Sequence, residues 1–247
     1  MINRDVVVLR EILGRTVQGF TKPFRCRGED GQIYYVKGRD ASRKSQISEW
    51  IAGCLAQSFG LPVADQKIVE VPDQLYEALP PDWRGIGPGL AFGSVGVPGV
   101  VEVSWSIRSK IPQHIRQRIL VFDWWVRNAD RTLTELGGNP NLLWDAGPER
   151  VVVIDHNQAF DDDFEPEDFL ATHIFASEWD LVAGDLFNRK QWQDLCLQTK
   201  LVLETAIDSM PDEWWYLDEG NKHSFTEDRI IDILEIVSSD QFWECRK

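Results

Sequence analysis

The sequence predicts an α+β protein of two lobes, a small β-rich N-terminal lobe with one helix and a mostly α-helical C-terminal lobe. Three observations predict it. β-branched and aromatic runs crowd the first third of the chain, and a Gly- and Pro-rich stretch, PPDWRGIGPGLAFGSVGVPG, follows them. From residue 112 onward helical periodicity takes over, interrupted by one short apolar run, VVVI at 151–154. The organisation expected is residues 1–79 as the N-terminal lobe, 80–111 as a Gly/Pro-rich connector and 112–247 as the helical lobe, with a ligand cleft between the lobes. A chain of 247 residues is ample for this.

Each element has its own signal. VVVLREIL and TKPFRCR read as strands, and IYYVKG as a third, joined by the Asp30-Gly31 hairpin pair. In SRKSQISEWIAGCLAQSFGLPV, Ile47, Trp50, Ile51, Cys54, Leu55 and Phe59 recur at helical spacing, and Gly60 followed by Pro62 stops the helix. KIVEV reads as a further strand. In the second lobe QHIRQRILVFDWWVRN is helical, VVVID is a short buried strand, and residues 166–247 alternate helices with loops. The last helix, TEDRIIDILEIVSSDQFW, takes Thr226 as its N-cap. The tryptophans, including Trp124-Trp125 and Trp214-Trp215, read as core packing.

Bulk composition excludes several classes of function. A net charge of -14 repels duplex DNA and anionic lipid, so neither nucleic acid nor membrane is expected as a partner. Cys26, Cys54, Cys196 and Cys245 form no C-x-x-C pair and have no histidine at ligand spacing, which argues against a disulfide framework or zinc site and fits a reducing compartment. Arg4, Asp5, Arg10 and Glu11 interrupt the N-terminal apolar residues, which excludes a signal peptide, and no stretch approaches the ~20 apolar residues that span a bilayer. The expected location is the cytoplasm.

The chemistry concentrates in VRNADRTLTELGGNPNLLW (126–144) and VVVIDHNQAF (151–160). Phosphoryl transfer needs a carboxylate at the acceptor, hard oxygen ligands for Mg²⁺ and a lysine on the nucleotide phosphates. The chain offers these parts in the order of a bilobal kinase. Lys37 ends the strand IYYVK, Glu49 lies on the next helix off its apolar stripe, Asp130 follows an amphipathic helix, Asn141 precedes Leu142-Leu143, and Asp155 ends an apolar run. Taken singly, each has a plain competitor: a solvated lysine, a surface glutamate, a loop aspartate, a turn asparagine after Pro140. Asp155 is the hardest to read as a turn. Backbone N–H groups of Gly19, Phe20 and Thr21, between the first two strands, are candidates to cradle phosphate; an ordinary hairpin turn competes with them. FGSVGVPG matches neither a nucleophile elbow nor a Walker A loop. The acidic run DDDFEPED (161–168) reads first as a solvated loop, and second as an attractor of basic peptide.

SEWIAGCLAQSFGLPV (48–63) resembles a helix of HipA-like kinases, FDWWVRNADR (122–131) their catalytic-loop entry, and IDHNQAF (154–160) their metal-binding aspartate segment. The resemblance implies the two-lobed protein-kinase-like fold, with the N-terminal lobe binding ATP. It implies Asp130 as catalytic base, Asn141 and Asp155 as Mg²⁺ ligands, Lys37 on the ATP phosphates and Glu49 as its partner. The implied activity moves the γ-phosphate of Mg·ATP to a Ser/Thr hydroxyl of a protein, this chain included among the acceptors. Toxin–antitoxin biology, with an antitoxin partner, is implied as well. The chain departs from the family pattern N-x-D-x-H-x-x-N: Thr132 replaces the histidine and Glu135 the second asparagine, and what reads as an insertion after Glu135 leaves Asn141 preferred and Asn139 as the other choice. The disturbed spacing also leaves two alternatives: a nucleotide-binding pseudokinase or interaction module without turnover, and a small-molecule kinase.

Overall fold

The computed structural model describes residues 6–16, 22–218, 221, 222 and 224–243. Strands β1 (Val6–Arg15), β2 (Phe24–Gly28) and β3 (Ile33–Lys37) precede helix α1 (Arg43–Ser58). Then come β4 (Gln66–Val71), α2 (Asp73–Glu77), β5 (Gly89–Val95), β6 (Val100–Glu102), α3 (Trp105–Arg108) and α4 (Gln113–Trp125). Four short strands follow: β7 (Thr132–Thr134), β8 (Gly137–Asn139), β9 (Leu142–Asp145) and β10 (Arg150–Val153). Helices α5 (Pro166–Thr172), α6 (Trp179–Ala183), α7 (Leu186–Lys200) and α8 (Leu203–Ser209), the strand pair β11 (Tyr216–Asp218) and β12 (Asn221–Lys222), and α9 (Glu227–Glu235) complete the order. The fold is mixed α/β. Among the described residues no helix is long and apolar enough to cross a membrane.

The chain divides into two units. The first comprises Met1–Ile51, Ala64–Pro98 and Thr205–Phe225. Its strands close into a barrel in the order β1-β2-β3-β5-β4, with β4 returning parallel to β1 through Val6↔Ile68 and Val8↔Glu70. Closure leaves no open sheet edge. Period-2 patterning sets which side chains face inward: Phe24 and Cys26 on β2 and Tyr34 and Val36 on β3 are fully buried, while Arg25, Arg27 and Tyr35 between them are exposed. Leu9, Ile12, Val69, Val71 and Ala91 complete the barrel core.

Strand β5 lies inside the stretch read from its Gly and Pro content as a connector. Its composition serves close packing instead. A Cβ on Gly93 would stand 2.7 Å from Val69 Cγ1, so only glycine lets β5 seat between β3 and β4. Helix α1 starts where the Ser42 hydroxyl accepts the Ser45 N–H at 3.2 Å. It ends as the Gly60-Pro62 signal requires: Gly60 has φ +79°, and Leu61 N–H donates to Ala56 O at 2.9 Å.

The second unit comprises Ala52–Val63, Gly99–Glu204 and Thr226–Lys247. Helix α4 is buried along its last seven residues, Ile119–Trp125, because aromatic side chains surround it. Trp124 meets Phe164, Phe169, Trp179 and Phe242, and its indole N–H donates to Phe242 O at 2.8 Å. Trp125 donates to Leu234 O at 3.0 Å and stacks on Phe59. Satisfying each indole N–H lets these large rings be buried without an orphaned donor. Strands β10, β9 and β6 form a sheet in that order, and β7 pairs with β8. Thr226 caps α9, its hydroxyl accepting the Arg229 N–H.

Candidate functional site

The second unit carries a loop built off the end of α4. After Trp125 the chain turns through Arg127 at φ +54° and passes Asn128, whose N–H donates to Asp123 O at 2.8 Å. Asp130 follows, half-buried. The next residues, the inserted stretch of the sequence, form the β7–β8 hairpin, with Thr132 opposite Asn139 and Thr134 opposite Gly137. Its tip is closed by the Thr134 hydroxyl, which donates to Gly137 O and accepts the Leu136 N–H. A hairpin returns the chain to its starting point, so insertion length does not separate the residues on either side of it. Both asparagines therefore reach the same atom: Asn139 Nδ2 donates to Asp130 Oδ2 at 2.8 Å and Asn141 Nδ2 to that oxygen at 3.1 Å.

Asp155 enters from the neighbouring strand. β10 pairs with β9 through Val153↔Leu142, and one residue further Ile154 N–H donates to Asn141 O at 3.1 Å. Asn141 at φ +47° and Asp155 at φ +59° both occupy the left-handed region, which a non-glycine residue enters at a cost. The Asn157 N–H donates to Asp155 Oδ1 at 3.4 Å. Burial raises the proton affinity of Asp130; the two asparagine donors oppose this, the charge of Asp155 adds to it, and the net shift is upward.

Beneath this loop lies a charged cluster that sequence reading missed. Asp123, Asn128 and Arg131 are wholly buried and His173 nearly so. Arg131 Nε donates to Asp123 Oδ2 at 2.7 Å, and Asn128 Nδ2 to Asp123 Oδ1 at 2.9 Å. His173 Nε2 lies 3.0 Å from Asp123 Oδ2, while its Nδ1 accepts the Phe175 N–H at 3.1 Å. That acceptor role leaves Nε2 as the protonated nitrogen of a neutral ring. Burial lowers the His173 pKa despite Asp123, and Asp123 itself stays far below the usual carboxylate range, Arg131 and His173 outweighing the burial that opposes them. The available signal was an aspartate inside the apolar run LVFDWWV, a charge on a face that must be buried.

In the barrel unit, Lys37 ends β3 and donates to Glu49 of α1; both side chains are about 95% or more buried. Gln46 Nε2 donates to Lys37 O at 2.8 Å and fixes the strand end to the helix. Glu49 lies off the apolar stripe and is nonetheless buried, because Lys37 supplies its counter-charge. Gly19, Phe20 and Thr21, the candidate phosphate cradle, lie outside the described residues. The acidic run at 161–168 is mostly exposed, and Asp162 pairs with Arg229.

The structure thus joins Asp130 with Asn139 and Asn141, sets Asp155 one residue beyond a backbone bond to Asn141, and joins Lys37 with Glu49. Comparison with known proteins gives these groups a context, that of a kinase-type phosphotransferase: the model of the HipA-like kinase matches residues 9–246. The chain belongs to the HipA-like kinase family. Among solved structures it is similar to the Helicobacter pylori proinflammatory kinase CtkA, at 10% identity and a TM-score of 0.46, over 94% of this chain and 91% of that one. It is also similar to a chain of the Shewanella oneidensis MR-1 toxin–antitoxin complex of HipA, HipB and operator DNA, at 14% identity and a TM-score of 0.49. That match covers 93% of this chain and 66% of the other. No curated protein matches the chain.

Proposed function

We propose that the protein transfers the γ-phosphate of Mg·ATP to a Ser/Thr hydroxyl of a protein, within a two-lobed kinase-like arrangement. The observation that carries this reading is the meeting of Asp130 with Asn141, next to Asp155, on turns tied by the Ile154 N–H to Asn141 O bond. Two donors on Asp130 Oδ2 hold the carboxylate in one orientation and leave Oδ1 to receive the acceptor hydroxyl. Asp130 orients that hydroxyl and takes its proton. Lys37, held by Glu49, serves the phosphates of the nucleotide.

The donor set fits magnesium. Asn141 commits its amide nitrogen to Asp130, which frees its Oδ1, and Asp155 offers a carboxylate; hard oxygen donors in this number leave positions for phosphate oxygens and water. Magnesium, when bound, neutralises charge on the transferring phosphoryl group. Asn141 is preferred over Asn139 as ligand because its backbone carbonyl is tied to the residue preceding Asp155. Family membership supports kinase chemistry, and toxin–antitoxin pairing is a reading that follows from the family alone.

Incubation with Mg²⁺ and γ-³²P-labelled ATP tests the proposal. Label should move to protein, either to this chain or to an added extract, and Asp130→Ala should abolish it. An ATP-induced rise in melting temperature without transfer would replace the kinase by a nucleotide-binding module, and no rise at all would remove nucleotide from the account.

A further inference from the structure

We propose that Arg131 is a positioning residue for the magnesium-binding pair, fixing the backbone on which Asn141 and Asp155 stand; this rests on the function proposed above. The wholly buried guanidinium spends one edge on Asp123, Nε at 2.7 Å from Oδ2 and Nη2 at 3.4 Å from Oδ1. Nη1 turns the other way and donates to Asn141 O at 2.6 Å, with Ile154 O at 3.2 Å and Pro140 O at 3.4 Å. Three segments distant in sequence, the end of α4, the return of the hairpin and the exit of β10, therefore share one cation.

These three carbonyls are not arbitrary. Asn141 and Asp155 carry left-handed backbone conformations that a non-glycine residue keeps only when its surroundings over-determine it. The Asn141 carbonyl accepts from both Arg131 Nη1 and the Ile154 N–H, so it is the node at which the two ligand-bearing turns are tied. The Ile154 carbonyl belongs to the peptide that leads into Asp155. A buried ion pair contributes little net stability over an apolar replacement, so stability alone does not explain retaining this one. Holding two strained turns in register does explain it. The guanidinium suits the task, because its planar fork presents donors on opposite edges, whereas an ammonium is a single point of charge.

Asp123 is itself held. Asn128 Nδ2 and His173 Nε2 occupy its two oxygens alongside Arg131, and His173 is anchored through Nδ1 to the Phe175 N–H. The Ile174 N–H donates to Arg131 O at 3.0 Å, so the residues after α5 grip the same loop by backbone as well. The chain of restraint runs from His173 to Asp123 to Arg131 and on to the two ligand turns.

The test is a magnesium titration of ATP binding on the full chain, followed by calorimetry. Arg131→Lys, with unchanged far-UV circular dichroism, should raise the Mg²⁺ concentration for half-maximal ATP binding by about 10- to 100-fold, the usual effect of losing a residue that orients metal ligands. ATP affinity at saturating Mg²⁺ should return towards the wild-type value. A residue with only a structural role would lower the melting temperature and leave that midpoint in place, and this result would overturn the inference. Should Arg131→Lys fail to fold, the far end of the chain of restraint gives the same reading. His173→Gln keeps an N–H for Asp123 and should keep the midpoint, whereas His173→Phe should raise it; an unmoved midpoint in folded His173→Phe would overturn the inference equally. A wild type that binds ATP without any Mg²⁺ dependence would sink the functional reading and this inference together. A responsive wild type with an unshifted Arg131→Lys would sink this inference alone.

Discussion

At the scale of single residues, the two aspartates of the proposed site should separate by kinetics. Asp155→Asn removes a metal ligand's charge and should weaken Mg²⁺-dependent nucleotide binding. Asp130→Asn should leave that binding intact and lower turnover by roughly 10²- to 10⁴-fold, the range of general-base effects. Equal loss of binding in both would contradict the roles assigned. Asp130→Asn carries a second expectation: burial and the charge of Asp155 disfavour its ionised form, so neutralising it should raise the melting temperature at neutral pH while activity falls. The other unit offers a different residue-scale test. Lys37 and Glu49 are buried together, and Glu49→Ala would remove the carboxylate of that buried pair, so unfolding free energy in urea should drop by about 3–5 kcal/mol. A loss below about 1 kcal/mol would mean that the pair contributes no more than an exposed one.

At the scale of elements, legibility followed how local each signal was. The helix at Arg43–Ser58 was readable because its apolar stripe and its Gly60-Pro62 stop lie close together in the chain. The β2–β3 hairpin was readable from Asp30-Gly31, and Thr226 as a cap from its own position. Strand β5 was not, because its glycines answer to Val69 and other neighbours distant in sequence. The β7–β8 hairpin was seen only as an insertion that disturbed the Asp-to-Asn spacing, and pairing across it is what restores the contact with Asp130. Likewise the hydrogen-bond acceptors of the Arg131 side chain lie up to 23 positions away, beyond any spacing rule. The hairpin gives an element-scale prediction. A Cβ on Gly138 would stand 2.5 Å from Thr132 O and 2.9 Å from Leu133 Cα, both backbone, so Gly138→Ala must push β7 and β8 apart. Asn139 then leaves Asp130, and kcat should fall while ATP affinity holds. Unchanged kcat in Gly138→Ala would show that the hairpin does not set the orientation of Asp130.

At the scale of the whole molecule, acid stability brings two opposed effects together. The chain carries a net charge of -14, so lowering pH towards the sequence pI of about 4.7 relieves self-repulsion and favours the folded state. His173 acts in the other direction. Its ring is buried with Nε2–H on Asp123 and Nδ1 accepting the Phe175 N–H, so a second proton would set N–H against N–H in a buried site. The folded state therefore binds that proton less readily than the unfolded chain, whose imidazole titrates near 6.5. Below that value the unfolded state holds more protons. Stability from this group is thus complete above about pH 6.5 and is lost as pH falls towards the lower folded-state value. His173→Gln keeps a donor to Asp123 but does not titrate, which isolates the term from the change in net charge common to both proteins. The stability of the wild type relative to His173→Gln should therefore be greatest at about pH 7.5 and shrink steadily through pH 6.5 to 5.5, as read from melting temperatures in matched buffers. A difference that stays flat over that range would mean His173 titrates alike in the folded and unfolded chain, and one that widens on acidification would mean the ring gains its proton in the fold.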